Sequence, residues 1–237
     1  MDSIARLRLQ QLFDSQLPVG AFAHSGGVET YAALDGGLAE LREVMEGQIA
    51  LGWGRSELAA GCLAWRLEDG GGRLEDRGSG IGDLGPGKES ADRSLSLIAA
   101  ELDALKVVPA VRNASIGLGR RTLELLRRLY PFAAVDVEPA HHAVIVGAAG
   151  ARLGIDAREL LLGYAQSLAM GTLTAGMRCM PVSPAQAQGL LAEMHPAIAR
   201  AVESVLEAPR ASLFTCTPAM DIRSYQQAFL RTRLFQS

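Results

Sequence analysis

Aromatic residues are scarce in this sequence. Trp, Tyr and Phe make up only 5% of its 237 residues, although 49% of all residues are hydrophobic, with Ala and Leu dominating. Strands favour aromatic and β-branched side chains, whereas Ala and Leu favour helices. Val and Ile also rarely alternate with polar residues over the length of a strand. The sequence therefore predicts an all-α protein.

Cysteine is rare and unpaired in sequence. The three cysteines, Cys62, Cys179 and Cys216, are far apart and form no CxxC pair. An odd number of distant cysteines is unlike a disulfide framework or a zinc knuckle. The pattern favours buried thiols in a reducing cytoplasm.

The chain also lacks a strong charge excess and a long hydrophobic run. Its formal net charge is −3, so there is no basic field to attract nucleic acid or an anionic membrane surface. No run of about 18 apolar residues is present to span a bilayer. The first residues, MDSIARLRLQQLF, lack the layout of a signal peptide. We expect neither nucleic acid nor a membrane as a partner.

Helical periodicity runs through nearly the whole chain and predicts one domain, residues 1–237, with roughly eight to ten helices. The exception is the region 68–92, which contains eight glycines and few large apolar residues. Such a segment buries too little surface to offset its ordering entropy. We expect a mobile loop inside the domain there, rather than a linker between domains.

Several helix starts can be read from capping signals. Asp156-Ala-Arg-Glu159 and Ser183-Pro-Ala-Gln186 match the capping-box pattern, in which an N-cap side chain and a later acid or amide bond reciprocally to the backbone. Pro196 is in a position to start one more helix, and Asp221 to cap the final one. Small residues at Gly147, Gly150 and Gly154 would let a neighbouring helix approach closely.

His24 and Ser25, adjacent in a glycine-rich stretch, raise the question of catalysis. A serine nucleophile needs a base within hydrogen-bond reach, and sequence neighbours seldom point at each other. Ser25 is also explained as a cap for the following helix or as a partner-facing residue. Gly26-Gly27 lacks the following Lys of a P-loop. We expect no catalytic residue, and a small hydrolase using His24 and Ser25 remains the alternative.

Metal-binding patterns are equally weak. The four histidines are His24, His141, His142 and His195. His141 and His142 would lie about 100° apart on a helix, and no HxxxH or HExxH occurs. We expect no metal site and no cofactor. A site built from one histidine and a distant Cys179 or Cys216 stays open.

The last 13 residues carry more large side chains than a terminus usually has. Aromatic and aliphatic residues lie there among arginines, and Arg223 comes just before them: Tyr225, Phe229, Leu230, Arg231, Arg233, Leu234 and Phe235. Tyr and Arg are enriched in interface hot spots. The segment either docks onto its own domain or is ordered by a partner, and both can hold together.

Four segments that together span nearly the whole chain carry a family resemblance. Leu17–Glu29 reads LPVGAFAHSGGVE, and the chain ends with Asp221-Ile222-Arg223-Ser224 followed by Arg233-Leu234-Phe235-Gln236-Ser237. These segments resemble the "LP-G-F-HS-GLE" signature and the "D-I-S … RLF-S" ending of the urease accessory proteins UreF. Arg112–Ser115 with Gly119 and Leu123, and Met177–Pro181, resemble two further segments. The sequence departs from the family at Val182-Ser183-Pro184 and at Gln227-Ala228, where the family often has a "HE" pair.

The resemblance implies a non-enzymatic, all-α, homodimeric protein of the cytoplasm. Family members join a scaffold protein (UreD, also called UreH) to the nickel-carrying GTPase UreG, and the assembly delivers Ni(II) to apo-urease at the expense of GTP. UreF bridges the two and influences the GTPase. A direct nickel chaperone is a further reading.

By the same resemblance, residues 207–237 form a partner-docking segment, in which the part from Asp221 onward engages the scaffold. The Leu17–Tyr31 region shapes the surface presented to partners. The residues expected to bind partners are Pro18, Gly20, Phe22, His24, Ser25, Gly26, Gly27, Glu29, Tyr31, Arg178, Asp221, Ile222, Tyr225, Phe229, Arg233, Leu234 and Phe235.

Overall fold

The computed structural model describes residues 1–20, 24–70 and 88–235, excluding the side chains of 88–93. Most of the predicted loop at 68–92 lies outside these residues, as does Phe22. Within the described ranges the chain is helical and contains no strand. The prediction of an all-α fold is therefore confirmed.

Eleven α-helices are present in the described part of the chain. They are α1 (Ser3–Leu12), α2 (Val28–Ala32), α3 (Leu38–Leu51), α4 (Ser56–Glu68), α5 (Lys88–Leu105), α6 (Pro109–Leu129), α7 (His142–Arg152), α8 (Ala157–Cys179), α9 (Pro184–Glu207), α10 (Pro209–Ser212) and α11 (Pro218–Gln226), with 3-10 turns at Pro131–Ala133 and Gln227–Phe229. Only α2 and α10, with five and four residues, are shorter than nine residues.

Helix α7 lies at the centre of the core. Residues 143–150 are all buried, and the helix packs mainly against α4 and also against α6 and α8. Contact with α4 is close because Gly147 faces Gly61: a Cβ on Gly147 would lie 2.1 Å from the Gly61 carbonyl oxygen. The expected close approach at Gly147 is thus present, and at Gly150 the neighbour is the side chain of Leu160. Gly154 instead ends the helix region with a φ of 74°.

Two of the predicted helix starts are confirmed and two are wrong. Ser183 forms the full capping box, and the Asp156 carboxylate accepts from two backbone N–H groups of α8. Pro196 lies inside α9 because the buried apolar stripe of that helix continues past it, from Leu190 to Val205. Asp221 lies within the first turn of α11, whose N-cap is Thr217, because Pro218 already occupies the first helical position.

None of the helices in the described ranges combines the length and apolar character needed to cross a membrane.

Candidate partner-docking site

The two segments singled out from the sequence meet in space, although about 200 residues separate them. We call residues 24–31 the bend and residues 218–235 the tail. Gly26 and Gly27 have φ angles of 58° and 99°, a region that favours glycine. A Cβ on Gly27 would lie 2.7 Å from Ser224 Oγ and 2.9 Å from its backbone nitrogen. The bend therefore needs glycine both for its turn and for the close approach of α11.

Gln227 is the centre of the contact between bend and tail. Its side chain is buried, and its Oε1 accepts from Ser25 Oγ at 3.0 Å and from the Gly27 N–H at 3.2 Å. Its Nε2 donates to Glu29 Oε2 at 2.9 Å. One amide thus satisfies three buried polar groups of the bend, as burial requires.

Further hydrogen bonds fix the rest of the tail against the bend. Ser224 Oγ donates to the Gly26 carbonyl at 2.7 Å, and Thr30 Oγ1 donates to the Arg223 carbonyl at 2.8 Å. The second carboxylate oxygen of Glu29, a buried residue, accepts from the Leu234 N–H. The polar side of the tail is therefore bound to its own domain.

The end of the tail has an aromatic anchor. Phe235 is buried, and the Arg178 guanidinium lies 4.7 Å from the centre of its ring. Between the tail and the bend, the Arg223 guanidinium lies 5.5 Å from the Tyr31 ring. Both distances are within the range of cation–π attraction.

The opposite side of the tail carries large apolar residues in solvent. We call Ile222, Tyr225, Phe229 and Leu234 the outer face; their exposures are 56%, 60%, 76% and 62%. The Tyr225 and Phe229 rings are 6.0 Å apart. Helix α11 thus reverses the usual arrangement, with polar contacts inward and apolar residues outward. Clustered exposed apolar residues of this kind mark interaction surfaces.

Several of the residues expected to bind partners take part in the contact between bend and tail. Those in direct contact across bend and tail are Ser25, Gly26, Gly27, Glu29, Tyr31 and Leu234. Arg178 of α8 contacts Phe235 of the tail. Ile222, Tyr225 and Phe229 are on the outer face, and Arg233 is exposed. His24 and Asp221 line a cavity beside the contact.

Pro18 and Gly20 belong to a different neighbourhood. Gly20 has a φ of 73° and lies against the Arg121 side chain of α6. Arg121 Nε donates to the Val19 carbonyl at 2.6 Å, so this part of the chain is held by α6. Neither residue takes part in the contacts between bend and tail described above.

Sequence reasoning missed the roles of Gln227 and Ser224. In the sequence, Gln227 stands out only as a departure from the "HE" pair of the UreF family that the chain resembles. An amide has both an acceptor and a donor, which is what the Gly27 N–H and the Glu29 carboxylate require. Gln227 is a polar residue within an aromatic-rich terminal segment, which is the one signal that the sequence offers for its role. Nothing in the sequence indicates that Gln227 contacts the bend.

The geometry around Ser25 bears on the hydrolase alternative. Ser25 is 6% exposed and its hydroxyl donates to an amide oxygen, which is not a base that can activate it. Burial, and then the nearby Arg121 charge, lower the pKa of His24. The described contacts therefore give Ser25 a structural role in holding the tail.

A buried polar cluster lies beneath the bend. Lys106 forms an ion pair with the buried Glu57, and Tyr164 OH donates to Glu57 Oε2 at 3.4 Å. Burial alone would raise the pKa of Glu57, but the Lys106 ammonium outweighs it and holds that pKa below its usual range. His142 Nδ1 is 3.3 Å from Tyr164 OH, and burial lowers the pKa of His142 to about 4.

His141 extends this cluster towards α5 and α6. Its ring is fully buried, with Nδ1 3.1 Å from Ser115 Oγ and Nε2 3.2 Å from Asp103 Oδ1. Burial lowers the pKa of His141, while the Glu57 and Asp103 carboxylates oppose that shift. Both histidines are consequently neutral at pH 7.

We expect this cluster to make the protein acid-sensitive. Burial lowers the pKa of His142 from 6.5 to about 4, so between these pH values the unfolded chain binds a proton at this histidine and the folded chain does not. The contribution of His142 to the free energy of unfolding is therefore complete above pH 6.5 and falls as the pH drops towards 4. The slope from His142 is at most about 1.4 kcal/mol per pH unit. Urea unfolding between pH 4 and 7.5 should show a shallower loss for His142→Asn than for the wild type. An unchanged slope would contradict the assignment.

Metal ligands do not gather in the described part of the chain. It contains no group of three or more His, Cys, Asp or Glu side chains arranged to hold an ion. The three thiols are free there, and burial raises the pKa of Cys62 and that of Cys179, the latter to about 11. Neutral thiols are poor metal ligands.

Comparison with known proteins points to one family. The profile of the UreF family matches residues 37–195. A urease accessory protein UreF from Nostoc sp. (strain PCC 7120 / SAG 25.82 / UTEX 2576) is 28% identical over 235 residues, covering 98% of this chain and 95% of the relative. The UreF protein of Actinobacillus pleuropneumoniae is 28% identical, with 97% of this chain and 97% of the relative covered. That of Rhodopseudomonas palustris (strain TIE-1) is 27% identical, with 99% of this chain and 93% of the relative covered.

Proposed function

We propose, from the premise that this chain belongs to the UreF family and so has an accessory role in urease maturation, that it acts as a non-enzymatic bridge. The homodimer would join a scaffold protein of the UreD/UreH type to the GTPase UreG in the cytoplasm. The assembly would support GTP-dependent delivery of Ni(II) to apo-urease, with the metal held by the other proteins.

The outer face of the tail carries this proposal. Four large apolar side chains lie in solvent on a segment whose other side is bound to the domain by buried hydrogen bonds. A preorganised apolar surface avoids the ordering cost that a free terminus would impose on binding. Tyr225 and Phe229, adjacent and exposed, have the character of interface anchors. We assign the outer face to the scaffold protein.

Substitution of the outer face tests this assignment. We expect Tyr225→Ser with Phe229→Ser to weaken binding to the scaffold protein at least about 30-fold, since one hot-spot aromatic contributes about 2 kcal/mol or more. Titration calorimetry or co-purification measures the change. Leu97→Ser, at a residue of α5 that is 65% exposed, is the matched control. Equal binding by all three proteins would refute the assignment.

Point substitutions are a sharper test than truncation after Ala219. Truncation would also remove Gln227 and Phe235, leaving Glu29 buried without its partners and uncovering the core. Loss of binding by the truncated chain would then mix two causes. The double substitution removes only side chains that are already in solvent.

A hydrolase and a direct nickel chaperone are the competing functions. Ser25→Ala should abolish turnover of a hydrolase that stays folded, but should change urease activation only modestly in a bridging protein. A nickel chaperone requires stoichiometric Ni(II) binding by the isolated chain, which equilibrium dialysis at micromolar metal detects. The hydrogen bond from Ser25 to Gln227 favours the bridging function over the first alternative.

A further inference from the structure

A cavity of about 260 Å³ opens between the tail, the bend and the polar cluster. Asp221 and Ser224 of α11 form part of one wall, and His24–Gly26 form part of another. Glu57, Lys106 and His142 lie among the residues deeper in the lining. The volume is below the range of about 300–1,000 Å³ typical of sites for drug-sized ligands. It suits a single inserted side chain.

The charges that line the cavity do not balance. Glu57 is paired with Lys106, and the lining histidines His24 and His142 both have lowered pKa values and are neutral at pH 7. Asp221 remains, and in the described part of the chain its carboxylate forms no salt bridge. Burial raises the pKa of Asp221 because the carboxylate has lost part of its hydration, and the charge of Lys106, which lines the same cavity, partly opposes this shift. The lining carries one surplus negative charge.

The neutral histidine adds an acceptor to this lining. The Tyr164 hydroxyl donates its one hydrogen bond to Glu57 Oε2, so its oxygen accepts a hydrogen bond from His142 Nδ1–H. Neutral His142 then has its lone pair on Nε2. Two aromatic residues, Trp53 and Tyr164, line the same cavity, and aromatic rings attract cations. Surplus charge, an acceptor nitrogen and aromatic surface all favour a cationic occupant.

We propose that this cavity receives an arginine or lysine side chain of the scaffold protein, beside the outer face of the tail. The inference rests on the proposed function for the identity of the partner. One helix supplies both sites, since Asp221 lines the cavity while Ile222 and Tyr225 face solvent. A partner that covers the outer face would therefore be placed to insert a basic side chain next to Asp221. The result is a hot spot of one ion pair flanked by apolar contacts.

Binding of a small guanidinium tests the cavity without any partner. Full-length protein is titrated with ethylguanidinium chloride at constant ionic strength, and Trp53 fluorescence is followed, with Trp53→Phe assigning the signal. We expect saturable binding in the millimolar range, as befits a fragment of this size. Asp221→Asn should weaken it at least tenfold and Asp221→Glu should restore it, whereas Glu43→Gln, at an exposed residue of α3, should not change it. Equal binding of uncharged ethylurea, or an unaffected Asp221→Asn, would overturn the proposal.

The scaffold protein provides the second arm. Asp221→Asn should lower its affinity at least tenfold while Glu43→Gln leaves it unchanged. If Tyr225→Ser/Phe229→Ser weakens scaffold binding but Asp221→Asn does not, the cavity inference fails and the bridging function stands. If the wild-type chain binds no scaffold protein, the bridging function fails, and the guanidinium titration decides separately whether the cavity takes a cation.

Discussion

Replacing Gln227 with alanine should release the tail from the domain. The change removes the partner of Ser25 Oγ, of the Gly27 N–H and of Glu29 Oε2, all of which lie in buried surroundings. A buried polar group left without a partner costs about 1–3 kcal/mol. Three such groups make a local loss of about 3 kcal/mol or more, which corresponds to at least about 100-fold more frequent opening.

Hydrogen exchange of the tail measures this opening. In the wild type the Leu234 amide donates to Glu29 and the Leu230 amide donates to the Gln227 carbonyl, so both should be protected. Gln227→Ala should reduce protection across the tail while the core helices keep theirs. Gln226→Ala is the matched control, because this neighbouring side chain is exposed and accepts a hydrogen bond from Arg223 of its own helix. Equal protection in the two variants would show that the amide does not hold the tail.

Replacing Gly147 with alanine should cause a large loss of global stability. The added Cβ would lie 2.1 Å from the Gly61 carbonyl oxygen and 2.8 Å from its carbonyl carbon, so two backbones must move apart. Overpacking usually costs about 1–3 kcal/mol, and a clash with backbone at the centre of the core belongs at the upper end. We expect a loss of about 3 kcal/mol in the free energy of unfolding by urea.

The matched control is a helical glycine with open space around it. Gly189 lies within α9 and a Cβ there would meet no atom within 4 Å. Gly189→Ala should therefore stabilise the protein by about 0.5–1 kcal/mol, because alanine loses less backbone entropy than glycine. Opposite signs for the two substitutions are the expected outcome. A neutral or stabilising Gly147→Ala would contradict the close packing of α4 against α7.

The helices were predictable from the sequence because their signals are local. The apolar stripes and the Ser183 capping box depend on residues within one or two turns of each other. The errors at Pro196 and Asp221 arose where a local signal competed with others: a buried stripe continues through Pro196, and Pro218 begins α11 before Asp221. Where a local helix signal and tertiary packing disagree, packing determines where the helix begins and ends.

The site was predictable only in part because it depends on contacts between distant residues. The composition of the bend and of the tail marks each as unusual. The hydrogen bonds of Gln227 with Ser25, Gly27 and Glu29, however, join residues about 200 positions apart, and no local pattern indicates them. Likewise, burial of Phe235 and exposure of Phe229 follow from which side of the tail meets the domain. Two phenylalanines six residues apart give no local indication of this difference.

Reconstitution of the three-protein complex tests the bridging function most directly. The purified chain, the scaffold protein and the GTPase are mixed with GTP, and the masses of the complexes are determined by size-exclusion chromatography with light scattering. With the wild-type chain, we predict one complex that contains all three proteins. With the Tyr225→Ser/Phe229→Ser variant, we predict that the scaffold protein joins no complex. The Leu97→Ser variant should form the same complex as the wild type. Stable association of the scaffold with the GTPase in the absence of this chain, or an intact three-protein complex with the double variant, would contradict the account.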